Sequence, residues 1–247
     1  MRVLVMTAHP DDADMHAGGT VARWVDEGHD VRYVLFTSGD KGTDDPAMTP
    51  DRVIALRYAE QRTAAALLGV QQLTFLDYED GDLSFRGPEL AASATRLIRA
   101  EQPDLVLTHD PFMGSPRYAN YQLHPDHRAV GHAVLDAAYF RAPGPLYHSE
   151  QITGGLRTHR VGELWLIMGD HADHAVDIGG TVDRKIAAVR AHVSQWGQHP
   201  DLEGLIRRRA EAVGVAPGSP WPRRSSACAR AEWRSGSNHD ASGHDVK

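Results

Sequence analysis

The chain has a single cysteine, Cys228, in 247 residues. That excludes an intrachain disulfide and any metal site built on several thiolates. Long apolar runs are also missing. No stretch approaches the roughly 18 consecutive apolar residues that a membrane-spanning helix needs, and mean hydropathy is −0.42. Basic residues are in the minority, 26 Lys and Arg against 33 Asp and Glu, for a net charge of −7. General nucleic-acid binding needs a basic footprint and is disfavoured. The N-terminus lacks the pattern of a secretory leader, because the apolar run at residues 3–6 is short and a His-Pro-Asp-Asp cluster follows at once. The expected compartment is the cytoplasm. What is plentiful is histidine, 15 in all; only the placement of these residues carries information.

Hydrophobic residues make up 41% of the chain, enough for one α/β domain with a small appendage. Residues 2–7, 31–37, 73–76 and 105–108 read as strands. Helices are expected over 18–28, from Thr49-Pro50 to Gly69, and over 88–100. Thr49 is a natural N-cap, Pro50 suits the first turn, and Gly28 and Gly69 are stops. Later strands are expected at 163–168 and 175–178, and one helix over 181–196. This alternation predicts an α/β fold with a mostly parallel sheet covered by helices on both faces, a three-layer sandwich. The main domain is assigned to residues 1–200 and a C-terminal helix to 201–216. From Pro217 onward apolar periodicity fades, so 217–247 is expected to be a poorly ordered tail.

In such folds the loops after the strands carry the chemistry. After the first strand stand His9, Pro10, Asp11, Asp12 and Asp14. A phosphate-binding turn would place glycines there. Three carboxylates repel phosphate and suit a cation, and a helix N-terminus helps keep them ionised. After the fourth strand and a long loop come His124, Pro125, Asp126 and His127. His9, Asp12 and His127 make a two-histidine, one-carboxylate set that leaves a position open for water, as in catalytic zinc sites. Bound zinc brings the pKa of water toward about 7. Asp11 is the candidate general base, which later returns the proton to a leaving amine. His124 is a candidate oxyanion stabiliser, best as imidazolium, with Asp126 orienting it and favouring its charge.

These motifs resemble the N-acetylglucosaminyl-phosphatidylinositol de-N-acetylase family, also called the LmbE-like deacetylases. Its signature is a first strand ending in Ala-His-Pro-Asp-Asp, here 8–12, with a His-Pro-Asp-His element, here 124–127. Gly18-Gly19-Thr20, Asp80-Gly81-Asp82-Leu83 and His192-Val193-Ser194-Gln195 agree with it, over roughly residues 2–196. The resemblance implies a Rossmann-like fold, zinc (or Fe2+ or another divalent ion) on His9, Asp12 and His127, and Asp11 as base. It implies a small N-acyl amino-sugar substrate, and relatives often form homo-oligomers. By analogy Arg57 and Asp80 are candidate substrate contacts. Two positions depart from the family: Ala13 stands where many members have Glu, and Gln122 where some have Tyr.

Plainer readings exist for each residue. His9 to Asp12 would serve as a polar turn with Asp as cap, Asp126 as an N-cap, Arg57 and Glu60 as a surface ion pair at i, i+3, and Asp80-Gly81 as a turn. His192 is expected to pack the last helix on the sheet, and His109 lies near the site without belonging to the ligand set. Functional alternatives are an amidase of a larger conjugate such as a thiol conjugate, a two-histidine, one-carboxylate iron oxygenase, and a non-catalytic metal- or sugar-binding module.

Overall fold

The computed structural model describes residues 1–112, 124–169 and 174–213, and the backbone of 225–231. In chain order the elements are β1 (Arg2–Thr7), α1 (Asp12–Asp26), β2 (Asp30–Thr37), α2 (Pro50–Leu68), β3 (Gln72–Tyr78), α3 (Gly87–Glu101) and β4 (Leu105–His109). There follow α4 (Pro125–Asp136), α5 (Ser149–Thr153), β5 (Glu163–Ile167), β6 (His174–Asp177), α6 (Val182–Ala191), α7 (Val193–Trp196), α8 (Leu202–Val213) and β7 (Ser225–Ala231).

The sheet order is β3-β2-β1-β4-β5-β7-β6. The first five strands are mutually parallel, and β7 runs antiparallel to both β5 and β6. Side chains alternate across a strand, and the core divides accordingly. Val3, Val5, Leu35 and Leu107 face α1, α2 and α6. Leu4, Met6, Phe36 and Val106 face α3 and α4. Both faces are buried, as the apolar character of β1 and β4 requires, and the three-layer sandwich is the one the sequence pattern predicts.

The main differences from the sequence reading lie in three places. α1 begins at Asp12 rather than at residue 18, so Asp12 and Asp14 lie in its first turn. These two are buried through polar partners, and the turn therefore carries no apolar periodicity. The expected single helix over 181–196 is broken at His192, whose ψ of 65° ends α6 before α7 begins. Finally, β7 lies within the stretch 217–247 that lacks periodicity; the other residues of that stretch, like the Gln122 position, lie outside the described residues.

Candidate metal centre and active site

β1 and β4 are neighbours, but the chain leaves β1 toward β2 and β3 and leaves β4 toward β5. Such a switch point opens a crevice beyond the carboxyl ends of the two strands. His9, Asp11 and Asp12 follow β1, His109 ends β4, and His124 to His127 open α4. The two distant segments meet there. His9 Nδ1 is 3.2 Å from His127 Nε2. Asp12 closes the triangle of residues with its two oxygens, Oδ2 3.3 Å from His9 Nδ1 and Oδ1 3.2 Å from His127 Nε2. All three side chains are buried.

The donor types suit a divalent ion, and the described groups close enough to share one are His9, His124 and His127; Asp12, His109 and His127; and His9, Asp80 and Asp126. Bonds of about 2.0–2.1 Å to tetrahedral zinc put adjacent ligand atoms about 3.3 Å apart. The charge distribution agrees. His9 Nε2 lies 3.0 Å from Asp80 Oδ1 and 3.3 Å from Asp126 Oδ2, so with Asp12 three carboxylates surround one imidazole. Burial by itself would lower the His9 pKa, but Asp12, Asp126 and Asp80 outweigh it and raise it well above the ordinary value. The Nε2–H faces Asp80 and Asp126, and Nδ1 faces His127. Facing nitrogens at that distance require a proton or a cation between them. A carboxylate behind a ligating histidine is also the usual way to fix its tautomer and orientation.

His109 backs this triangle. It is fully buried, its Nε2 lies 3.0 Å from the Ala8 amide that donates to it, and it sits 3.3 Å from Asp12 Oδ2. Burial, aided by the nearby His127, pushes its pKa down to about 4, so the ring is neutral at pH 7. His127 Nδ1 has no hydrogen-bond partner among the described residues. Its ring is held instead by stacking on His109, with centroids 4.2 Å apart and planes 5° from parallel.

Asp11 is the N-cap of α1 by position, yet its side chain makes no capping hydrogen bond. Its backbone is left-handed, with φ 94°, a conformation that costs a non-glycine residue about 1–3 kcal/mol. This turn sends the carboxylate away from Asp12. Trp196 Nε1 donates to Oδ2 at 2.8 Å, Arg57 Nη2 lies 3.4 Å from Oδ1, and the Asp11 amide donates to Gln61 Oε1 at 2.9 Å. Burial raises the Asp11 pKa against the lowering effect of Arg57, with Asp12 adding to the rise and His192 and Trp196 opposing it. A buried carboxylate with a raised pKa is suited to moving protons near neutrality. The simple capped turn does not describe this residue.

At α4 the N-cap is His124, whose Nδ1 accepts from the Asp126 amide at 3.2 Å. The expectation for Asp126 needs correction. Its carboxylate does not hold the His124 ring; it accepts from the Gly81 and Leu83 amides at 2.7 and 3.1 Å and reaches His9. As the second residue of a helix its side chain points sideways, toward the loop after β3. The imidazolium expectation for His124 is corrected too. Burial lowers its pKa, and His9 and His127 lower it further. A ring accepting at Nδ1 is a neutral donor through Nε2–H.

Arg57 and Asp80 also turn inward. Arg57 is buried, donating to Pro10 O at 2.7 Å and Gly39 O at 3.1 Å. Gly39 and Gly42 make room for its guanidinium, which a Cβ at either position would strike. The surface pair with Glu60 is not formed; Glu60 accepts from Ser194 instead. Asp80 backs His9, and its amide donates to Asp40 Oδ1 at 2.9 Å. Sequence reasoning missed Trp196 and the buried Asp14 network, in which Tyr33, Gln61 and His192 meet one carboxylate. The signals were the polar residues His192, Ser194 and Gln195, which interrupt an otherwise helical run and also match the family pattern.

The family model described as PIG-L, GlcNAc-PI de-N-acetylase, matches residues 4–138. The chain is 32% identical over 195 residues to diacetylchitobiose deacetylase of Thermococcus kodakarensis, covering 79% of this chain and 70% of that protein. It is 31% identical over 255 positions to the 1D-myo-inositol 2-acetamido-2-deoxy-alpha-D-glucopyranoside deacetylase of Mycobacteroides abscessus, covering 87% and 88%. The solved structure of N,N'-diacetylchitobiose deacetylase from Pyrococcus horikoshii, complexed with an inhibitor, superposes with a TM-score of 0.82 at 30% identity, covering 93% of this chain and 83% of that one. With the paired motifs converging on one crevice and more than half of its length matched, the chain belongs to the PIG-L, or GlcNAc-PI de-N-acetylase, family.

Proposed function

We propose that this protein is a zinc-dependent N-deacetylase acting in the cytoplasm on a small N-acetylglucosamine-type amino sugar. The observation that carries the reading is the buried cluster of His9 Nδ1, His127 Nε2 and the two Asp12 oxygens, with contacts of 3.2–3.3 Å, beside an Asp11 carboxylate that makes no capping bond. The names of the relatives, deacetylases of diacetylchitobiose and of a glucosaminyl inositol, support the substrate class.

His9, Asp12 and His127 would hold the ion. A divalent ion there supplies Lewis acidity, which polarises an amide carbonyl and acidifies a water molecule. Asp11 takes the proton of the attacking water and delivers it to the amine nitrogen as the C–N bond breaks. His124 donates Nε2–H to the carbonyl oxygen as negative charge develops on it. Asp80 and Asp126 hold His9 from behind, and Arg57 fixes the Pro10 carbonyl and the Asp11 side chain.

The test is acetate release from N-acetylglucosamine and N,N'-diacetylchitobiose by zinc-loaded protein and by the same protein stripped with a chelator. Release by the loaded form alone is expected. Equal rates in both forms, or no release from any N-acetyl sugar, would refute the proposal.

A further inference from the structure

The break at His192 places four polar side chains on four separate parts of the molecule. His192 Nε2 lies 2.8 Å from Asp14 Oδ2 on α1. Ser194 donates to Glu60 on α2 through its amide at 2.8 Å and its hydroxyl at 2.6 Å. Gln195 Nε2 donates to the Gly42 carbonyl, in the loop after β2, at 2.7 Å. Trp196 Nε1 donates to Asp11 Oδ2, in the turn between β1 and α1, at 2.8 Å. A helix continuing regularly from α6 would not direct successive side chains this way. The segment 192–196 therefore acts as a clasp whose last link is on Asp11.

Asp11 needs such a link. A strained left-handed aspartate persists only where its surroundings over-determine it, and its own helix gives the side chain nothing. Gln61 fixes the amide and Arg57 makes a long contact to Oδ1. Among the described residues, the indole N–H makes the one short hydrogen bond to the carboxylate. It occupies Oδ2, while Oδ1 has only the longer Arg57 contact.

We propose that Trp196, held by the 192–196 clasp, is a positioning residue for the hydrolytic reaction, aiming the Asp11 carboxylate through its indole N–H. This rests on the reading of Asp11 as the base. Trp196→Phe keeps the ring and removes the donor. Losing the donor that aims the base is expected to lower kcat about 10- to 100-fold. KM and zinc per chain are expected to stay at wild-type values. In an Asp11→Ala background the same substitution is expected to change residual turnover less than about twofold, because coupled residues are not additive.

A second readout needs no turnover. The indole N–H proton resonance of Trp196, identified by its loss in Trp196→Phe, is expected to move upfield in Asp11→Ala. Should Trp196→Phe fail to fold, β-(3-benzothienyl)alanine at position 196 has nearly the same shape without the N–H and carries the same test. Wild-type kcat in the donorless protein, an equal loss in both backgrounds, or an unmoved indole resonance overturns the proposal. Wild-type turnover in Asp11→Ala alone overturns the base assignment instead.

Discussion

The turn after β1 and the first turn of α4 supply the same residue types to one crevice, yet they are held in opposite ways. At α4, Pro125 occupies the first turn, His124 caps it, and helical geometry sends Asp126 toward two amides and His127 into the site. No residue there has a left-handed backbone. The β1–α1 turn contains Asp11 at φ 94° and is held from outside by Gln61, Arg57 and Trp196. Local rules therefore set the backbone of one half of the site, and its side chains then meet the loop after β3. The other half exists only once the tertiary structure has closed around it.

Substitutions can break this contrast, and the most severe separate holding the ion from moving the proton. His127→Ala should abolish metal retention through gel filtration as well as turnover. Asp11→Ala should keep the metal, measured by elemental analysis, and lose about a hundred- to ten-thousand-fold in turnover. If Asp11→Ala loses the metal too, the two halves are not divided as described. Next in size is Asp126→Ala, which removes the carboxylate behind His9. Zinc affinity, titrated against a competing chelator, should weaken about 10- to 100-fold, with Asp11 chemistry otherwise intact.

A smaller effect tests the strain itself. Glycine tolerates a positive φ that alanine does not, so Asp11→Gly should be about 1 kcal/mol more stable than Asp11→Ala in denaturant unfolding. The same pair of substitutions at Asp126, in a regular helix, should show the reverse order. Equal stabilities at position 11 would mean that the turn relaxes once the carboxylate is gone.

The smallest effect is a pH dependence at the clasp. Burial would lower the His192 pKa, but the Asp14 carboxylate overcomes this and raises it. Stability from protonated His192 is then fully present below the unfolded value of about 6.5 and is lost as pH rises through the higher folded value. The Tm difference between wild type and His192→Gln should accordingly be largest near pH 6 and narrow in alkali. A difference independent of pH would show that the ring contributes only packing.

Much of the fold was legible because strand alternation and capping are local signals. Thr49-Pro50 and Gly69 bound α2 where expected, and the apolar runs of β1 and β4 announced a sheet buried on both sides. The meeting of residues 9, 12 and 127 followed from placing both motifs after parallel strands. What the sequence concealed was direction. Arg57 and Asp80 look like surface groups waiting for a ligand, yet their charges are turned inward on Pro10, Gly39 and His9. The early start of α1 escaped notice because Asp12 and Asp14 are buried by hydrogen bonding, which leaves no hydrophobic period. Trp196 gave no sign of its role, since its partner lies 185 positions away.

The loop after β3 has a double allegiance. Through Asp80 it leans on the rear nitrogen of His9, and through the Gly81 and Leu83 amides it anchors the other carboxylate that does so. Electron donation from behind a ligating imidazole sets how strongly the ion withdraws charge from whatever it meets in front. If His9 holds an ion as proposed, remodelling residues 79–83 would therefore also change how strongly that ion draws charge.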